Sequence, residues 1–364
     1  MKTNTQRNWA CTALALGILA WFLYYAQNNF SPYTVQILNL VAINAILAVS
    51  LNLIYGFTGM FSLGHAGFMA IGAYVCTLFI LSPDQKVTMW MLEDMPEILV
   101  NMNLPFFPAV IMAGIVACLF GLLIAIPVLR LGGDYLGIAT LGFAEIIRVV
   151  ITNIPSITNG ALGIKGIPAH ATIWWNYGWL IFTLFIICSL LKSNVGNVFK
   201  AIRDDEIAAR TMGINSFFYR VLSFCIGAFF AGVGGALMGS MISTIDPKMF
   251  NFMLTFNILM IVVAGGLGSI TGSIIGSVVI TFMLELLRVV EDPFSIGSFE
   301  IAGVPGMRMV IFSLLLLIII IFRREGLLGT REFSWNSLFF MPRYLKMRKQ
   351  IEPGSGKDFG GRAH

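Results

Sequence analysis

Apolar runs long enough to cross a bilayer recur from one end of this chain to the other. A helix needs about 20 mostly apolar residues to span the hydrocarbon core. Ten such windows lie near residues 9–28, 33–55, 60–82, 107–129, 135–152, 175–192, 218–242, 253–270, 272–290 and 306–322. Only 11% of the 364 residues are charged, against roughly 25% in a soluble domain. The chain is therefore expected to be an all-α polytopic membrane protein of about ten transmembrane helices. The pair within 253–290 is the least defined. Its GGLGSITGSIIG reads as a turn between two spans or as a break inside one.

Lysine and arginine set the orientation of such a chain. With the N-terminus in the cytoplasm, alternation puts Lys2, Arg7, Arg130, Lys192, Lys200, Arg203, Arg210, Arg220, Arg323, Arg324 and the basic tail from Arg331 to Arg362 inside. The outer side keeps Lys86, Lys165, Lys248 and Arg288, with the acidic Asp84, Glu93, Asp94, Glu97, Glu291 and Asp292. Both termini are thus expected in the cytoplasm, in the inner or plasma membrane of a prokaryote. WFLYYAQNN offers no small-residue cleavage site, so the first run is expected to stay as a span. Residues 1–32 then form the N-terminus and first span, 33–330 the helical bundle, and 331–364 a basic cytoplasmic tail. The loops at 83–106 and 153–174 are too short to hold a domain.

Soluble chemistry finds little support. Cys11, Cys76, Cys118, Cys188 and Cys225 lie within apolar runs without a CxxC, and His65, His170 and His364 are scattered. No metal site, catalytic constellation or nucleic-acid surface is expected. The Gly356-Lys357 pair is followed by Asp358 and has Ile351 where a phosphate-binding loop needs glycine, so ATP is not bound that way.

Small residues recur at helical spacing, in Gly227, Ala231, Gly235 and Gly239 and again in Gly268, Gly272 and Gly276. Four-residue spacing stacks them on one helix face, where a second backbone approaches closely. The stretch GFTGMFSLGHAGFMAIGAY from Gly56 gathers Thr58, Ser62, Gly64 and His65 at the head of a span. Irregular backbone at that depth is tolerated where it is buried or lines a cavity. The stretch therefore reads either as a packed helix interface around His65 or, with Tyr135 and Thr140, as a translocation pathway. Glu145 and Arg148, and Glu285 and Arg288, are each three apart and are expected to neutralise one another as ion pairs.

The loop from Ser193 to Arg220 is too polar to span. Asn197 is a candidate N-cap and Gly213 fits the position just beyond a helix end, so a helix is expected over 197–213. It carries Arg203, Asp204, Asp205, Glu206, Ala208, Ala209 and Arg210. Its acidic cluster argues against resting on anionic lipid and for docking to a protein, with Ala209 against the partner.

Four stretches, in order, resemble the permeases of branched-chain amino-acid ABC importers, in particular their LivM-type subunits. They are SLNLIYGFTGMFSLGHAGFMAIGAY from Ser50, GDYLGIATLGFAEIIRVV from Gly133, AIRDDEIAARTMGIN from Ala201 and VVAGGLGSITGSIIG from Val262, with FRREGLLG from Phe322 closing the last span. The resemblance implies a second homologous permease, two cytoplasmic ATPase subunits that bind ATP and magnesium, and an extracytoplasmic solute-binding protein. It also implies that residues 197–213 form the coupling helix. Glu206, Ala208, Ala209 and Gly213 match its EAA…G pattern, although Ile207 intervenes and the later proline is missing. Urea, short amides and other amino acids are alternative substrates in the family. An ion-coupled secondary transporter is the reading from another class, but no chain of Asp, Glu and His crosses these spans.

The charge asymmetry makes a direct prediction. Cysteine labelling in intact cells is expected to modify a probe at Lys86 or Lys165 and to spare one at Asp205; the reverse pattern would overturn the orientation.

Overall fold

The structure is a computed structural model that describes residues 2–90, 93, 95–130, 135–290 and short stretches between 294 and 332. Most of the expected span near 306–322 and of the tail 331–364 lies outside those residues. The chain divides into Met1–Tyr24 with Glu332–His364, and Tyr25–Arg331, the helical bundle.

Helix α1 (Lys2–Asn29) is followed by α2 (Pro32–Asn52). Ser31 caps α2 by accepting from the Thr34 amide, and Pro32 supplies the fixed φ that suits a first turn. A π-helical turn, Leu53–Phe57, and an extended stretch separate α2 from α3 (His65–Ile80), which bends by 119° into α4 (Pro83–Met89). Next come α5 (Glu97–Val100), α6 (Phe106–Val128), α7 (Tyr135–Thr152), α8 (Pro155–Thr158), strand β1 (Ile164–Lys165) and α9 (Ile173–Lys192). The polar loop holds α10 (Asn194–Asp204) and α11 (Glu206–Thr211). Then follow α12 (Ser216–Ile242), β2 (Thr244–Ile245), α13 (Phe252–Gly265), α14 (Ile270–Leu286) and the hairpin of β3 (Phe294–Ile296) and β4 (Phe299–Ile301).

A described helix lies at each expected window except that near 306–322, and two of the windows are resolved in more detail. The window at 60–82 becomes helical only at His65. The stretch 253–290 is two helices, because Gly266 (φ 132°) and Gly268 (φ 75°) turn the chain through conformations that side chains resist. Among the described residues, six helices are long and apolar enough to cross a membrane, or seven if the bent α3–α4 pair is one span; α14 is a shorter apolar helix.

Helix α12 is the axis of the bundle, packed on α2, α3 and α6. Its small residues bring backbones together. A Cβ placed on Gly235 would fall 2.0 Å from the Met69 carbonyl of α3, and one on Gly72 of α3 would fall 2.0 Å from the Gly232 carbonyl. The stripe through Gly227, Ala231, Gly235 and Gly239 is therefore a packing face. The second expected stripe needs correction. Gly272 and Gly276 do let α14 lie against Gly265 and Ile261 of α13, but Gly268 sits in the turn rather than on the helix.

At one end of the bundle, β1 pairs with β2 (Ile164↔Ile245, Lys165↔Thr244), tying the 153–174 loop to the end of α12. The loop at 83–106 closes on Lys86, whose buried ammonium donates to the carbonyls of Leu99 (2.8 Å), Val100 and Met102. Burial lowers the Lys86 pKa below the ordinary lysine value. Lys86 is thus a poor labelling site, and the exposed Lys165 is the position to use.

The helix contacts predict the effect of one methyl group. Gly72→Ala forces backbone against backbone and should cost about 1–3 kcal/mol or more, the range for overpacking. Gly142→Ala, with nothing within 4 Å of the new carbon, should be near neutral. Thermal unfolding of the purified chain in detergent checks this, and equal melting points would refute it.

Candidate functional site

Two membrane segments are interrupted at the same end of the bundle, at 53–64 and at 266–269, and a single carboxamide joins them. The Asn52 amide nitrogen donates to the Ser269 carbonyl (2.9 Å), the Ser273 hydroxyl (2.7 Å) and, more weakly, the Gly266 carbonyl (3.4 Å). Its oxygen accepts from the Gly268 amide at 2.9 Å. Broken helices expose carbonyls and amides that apolar surroundings cannot solvate, and Asn52 satisfies them on both sides of the gap. The Leu327 and Leu328 amides complete the job by donating to the last carbonyls of α13, Ala264 and Gly265.

The first break is secured in the same manner. Thr58 donates to the Leu53 carbonyl (2.9 Å) and lies 2.7 Å from the Ser223 hydroxyl of α12. The Leu63 amide donates to Thr140 of α7 at 3.0 Å, and the Ala66 amide, in the first turn of α3, donates to Thr255 of α13 at 3.0 Å. Ser62 accepts a long bond from the amide of Gly64, the residue that precedes α3. Ser50 donates to the Leu47 carbonyl (2.9 Å), and its oxygen lies at hydrogen-bond distance, 2.9 Å, from His65 Nε2. His65 Nδ1 has no partner among the described residues. Thr58, Ser62, His65 and Thr140 are all buried, whereas Tyr135 is exposed at the start of α7.

The charged loop reaches this seam. Arg203, the penultimate residue of α10, donates through Nη1 to the Gly56 carbonyl in the first break (3.1 Å). A Cβ on Gly59 would meet the Arg203 side chain at 3.1 Å, and one on Gly268 in the second break would meet its Nη1 at 3.0 Å. Asp204 holds the guanidinium from the other side, with its Oδ1 at 2.9 and 2.8 Å. One arginine therefore stands against both interruptions, at the carbonyl end of a helix where positive charge is favoured.

The expected single helix over 197–213 is two helices. Ser193 precedes α10 and Asn197 lies inside it, so Asn197 is not the cap. Asp205 leaves helical geometry (φ −156°, ψ 107°), and its carboxylate accepts from the Ile207 and Ala208 amides at 2.9 and 3.0 Å to start α11. Gly213 does end that helix, with φ 83°. Its amide donates to Arg210, and the Ile214 amide donates to Ala209, the paired pattern of a left-handed helix end. Glu206 pairs with Arg210 (2.6 Å) as expected and also with Arg220 of α12 (2.5 Å). Ala209 is buried within the chain, so it does not face a partner; Ile207 and Met212, 77% and 82% exposed, do face outward.

The two expected ion pairs form. Glu145 meets Arg148 on α7, and Glu285 meets Arg288 at 3.3 Å while also accepting from Tyr33 of α2. Sequence reasoning missed Asn52 and Thr255. Their only signal was a polar side chain within an apolar run.

Residues 33–321 match the family described as branched-chain amino acid transport system / permease component. The chain belongs to that family. It is 32% identical over 289 residues to the high-affinity branched-chain amino acid transport system permease protein LivM of Escherichia coli, covering 70% of this chain and 64% of that one. The LivM protein of Salmonella typhimurium is 31% identical over 310 residues, covering 76% and 67%. The LivH protein of the same organism is 26% identical over 325 residues, covering 85% and 97%. The match thus spans just under two thirds of the E. coli LivM length. No solved structure matches the chain.

The seam predicts a stability defect. Asn52→Leu strands the Gly268 amide and the Ser269 carbonyl, each a buried group whose orphaning costs about 1–3 kcal/mol. The purified variant should melt well below wild type, and an unchanged melting curve would show that the breaks are held by something else.

Proposed function

We propose that this permease-family chain is the membrane subunit of an ATP-driven importer that moves leucine, isoleucine and valine into the cytoplasm. ATP and magnesium belong to two separate ATPase subunits. A second homologous permease and an extracytoplasmic binding protein complete the complex. The names of the LivM and LivH relatives support the substrate class and the pairing of two permeases. About ten spans, counting α1, α14 and the run near 306–322, keep both termini in the cytoplasm.

One observation carries the coupling role. The loop between α9 and α12 presents exposed apolar Ile207 and Met212 on its outer face while Arg203 touches both broken segments. A soluble ATPase seated on α11 therefore has a short path to the membrane interior. Arg203 moves with α10, and the Gly56 carbonyl and the Gly268 turn move with Arg203. The stretch from Thr58 to His65, with Tyr135 and Thr140 of α7 beside it, forms the cytoplasmic gate of the pathway in this reading. The bent pair of breaks opens and closes it. In this reading an extracytoplasmic binding protein delivers the substrate, which makes the direction import.

Two variants separate docking from transmission. Ile207→Asp should weaken co-purification of the ATPase. Arg203→Ala should leave the ATPase bound but reduce leucine uptake into proteoliposomes at least tenfold, about 1.4 kcal/mol of lost coupling. Wild-type uptake by both variants would remove this loop from the mechanism.

A further inference from the structure

Of the six described helices long and apolar enough to cross a membrane, α7 is the least buried, yet it carries Glu145 and Arg148 on its uncovered side. Charged side chains at membrane depth face a bundle interior or water, because hydrocarbon does not solvate them. That face of α7 therefore borders an aqueous or protein-lined space. A cavity of about 700 Å³ opens on it, walled by Ile138, Leu141, Glu145 and Arg148 of α7 and by Lys248 and Phe252 at the start of the α13 segment. This volume falls within the roughly 300–1,000 Å³ of small-molecule sites. It lies away from the seam, toward the end of the bundle where β1 and β2 pair.

The wall chemistry is specific. Both hydrogen bonds from Arg148 go to Glu145 Oε1, so Oε2 remains able to accept from a cation. Lys248 has no ion-pair partner among the described residues; the nearby Asp246 accepts from the Lys248 backbone amide at 2.8 Å. Ile138, Leu141 and Phe252 supply aliphatic and aromatic surface beside these charges.

We infer that this cavity is a substrate station for a zwitterion with an aliphatic side chain. Its carboxylate is held by Lys248, its ammonium by Glu145, and its side chain lies against Ile138, Leu141 and Phe252. The inference rests on the importer reading for the identity of the ligand, and it places the station on the side from which a binding protein delivers. Arg148 is a positioning residue here, fixing the Glu145 carboxylate.

Gly142 lines the same cavity, and a Cβ added there would meet nothing within 4 Å, so the position accepts a reporter. In the assembled complex with its native cysteines replaced, Gly142→Cys should react with a membrane-impermeant, charged thiol reagent. Millimolar leucine should slow that reaction several-fold, while isovalerate and isoamylamine, each keeping only one charge, should not. Lys248→Met and Glu145→Gln should each abolish the protection without changing the unprotected rate. Exclusion of the charged reagent would mark a lipid-facing notch and overturn the station. Equal protection by the single-charge analogues, or none by leucine, would overturn it as well. Leucine uptake by the same complex separates the two claims: uptake without protection sinks the station alone. Protection by a different zwitterion, without leucine uptake, sinks the substrate assignment and keeps the station.

Discussion

A backbone that breaks inside an apolar bundle must find partners for the amides and carbonyls it frees, and in this chain the Asn52 carboxamide, at the edge of the first break, supplies them to the second. Everything at that end of the bundle follows from this constraint. The glycine turn at 266–269 has its Gly268 amide and Ser269 carbonyl met from α2, whose π-helical end follows directly on Asn52. Thr58, Thr140 and Thr255 perform the same service for the first break. An interior held by hydrogen bonds rather than by side-chain packing alone has discrete alternatives, which suits a gate.

The opposite construction holds elsewhere. Between α12 and α3 backbones meet separated only by glycine hydrogens, and α6 closes on α12 through glycines set against small or aromatic side chains, packing that leaves little room for adjustment. The bundle thus combines a rigid axis with one hydrogen-bonded, interrupted end. The charged loop is attached to the interrupted end, through Arg203 to the Gly56 carbonyl and through Glu206 to Arg220 at the foot of α12. In the proposed coupling role, motion of the loop would reach this interrupted end first.

Much of this was legible in the sequence, for identifiable reasons. Spans are written as long apolar runs, and the windows at 107–129 and 135–152 match α6 and α7 closely because nothing else competes with hydropathy there. The Gly213 helix end was legible because a left-handed position has few occupants. The break at Asp205 was not, since good helix formers flank it and the deciding bond is the aspartate's own cap on Ile207 and Ala208. The inward turn of Ala209 and the second partner of Glu206 depend on α12 lying beside α11, which periodicity in one short loop does not encode. The partners of Asn52 and the Gly56 carbonyl bound by Arg203 are separated from them by well over a hundred residues and become neighbours only through the packing of the whole bundle.

The central claim is that the two breaks and the charged loop form one unit, the breaks joined through Asn52 and the loop tied to them through Arg203. Hydrogen exchange followed by mass spectrometry, on wild type and Arg203→Ala in nanodiscs, tests it most directly. The account predicts faster exchange in the variant at both Gly56–His65 and Gly265–Ser269, with α3, α6 and α12 unchanged. Faster exchange confined to residues 201–213, with both breaks as protected as in wild type, would contradict it.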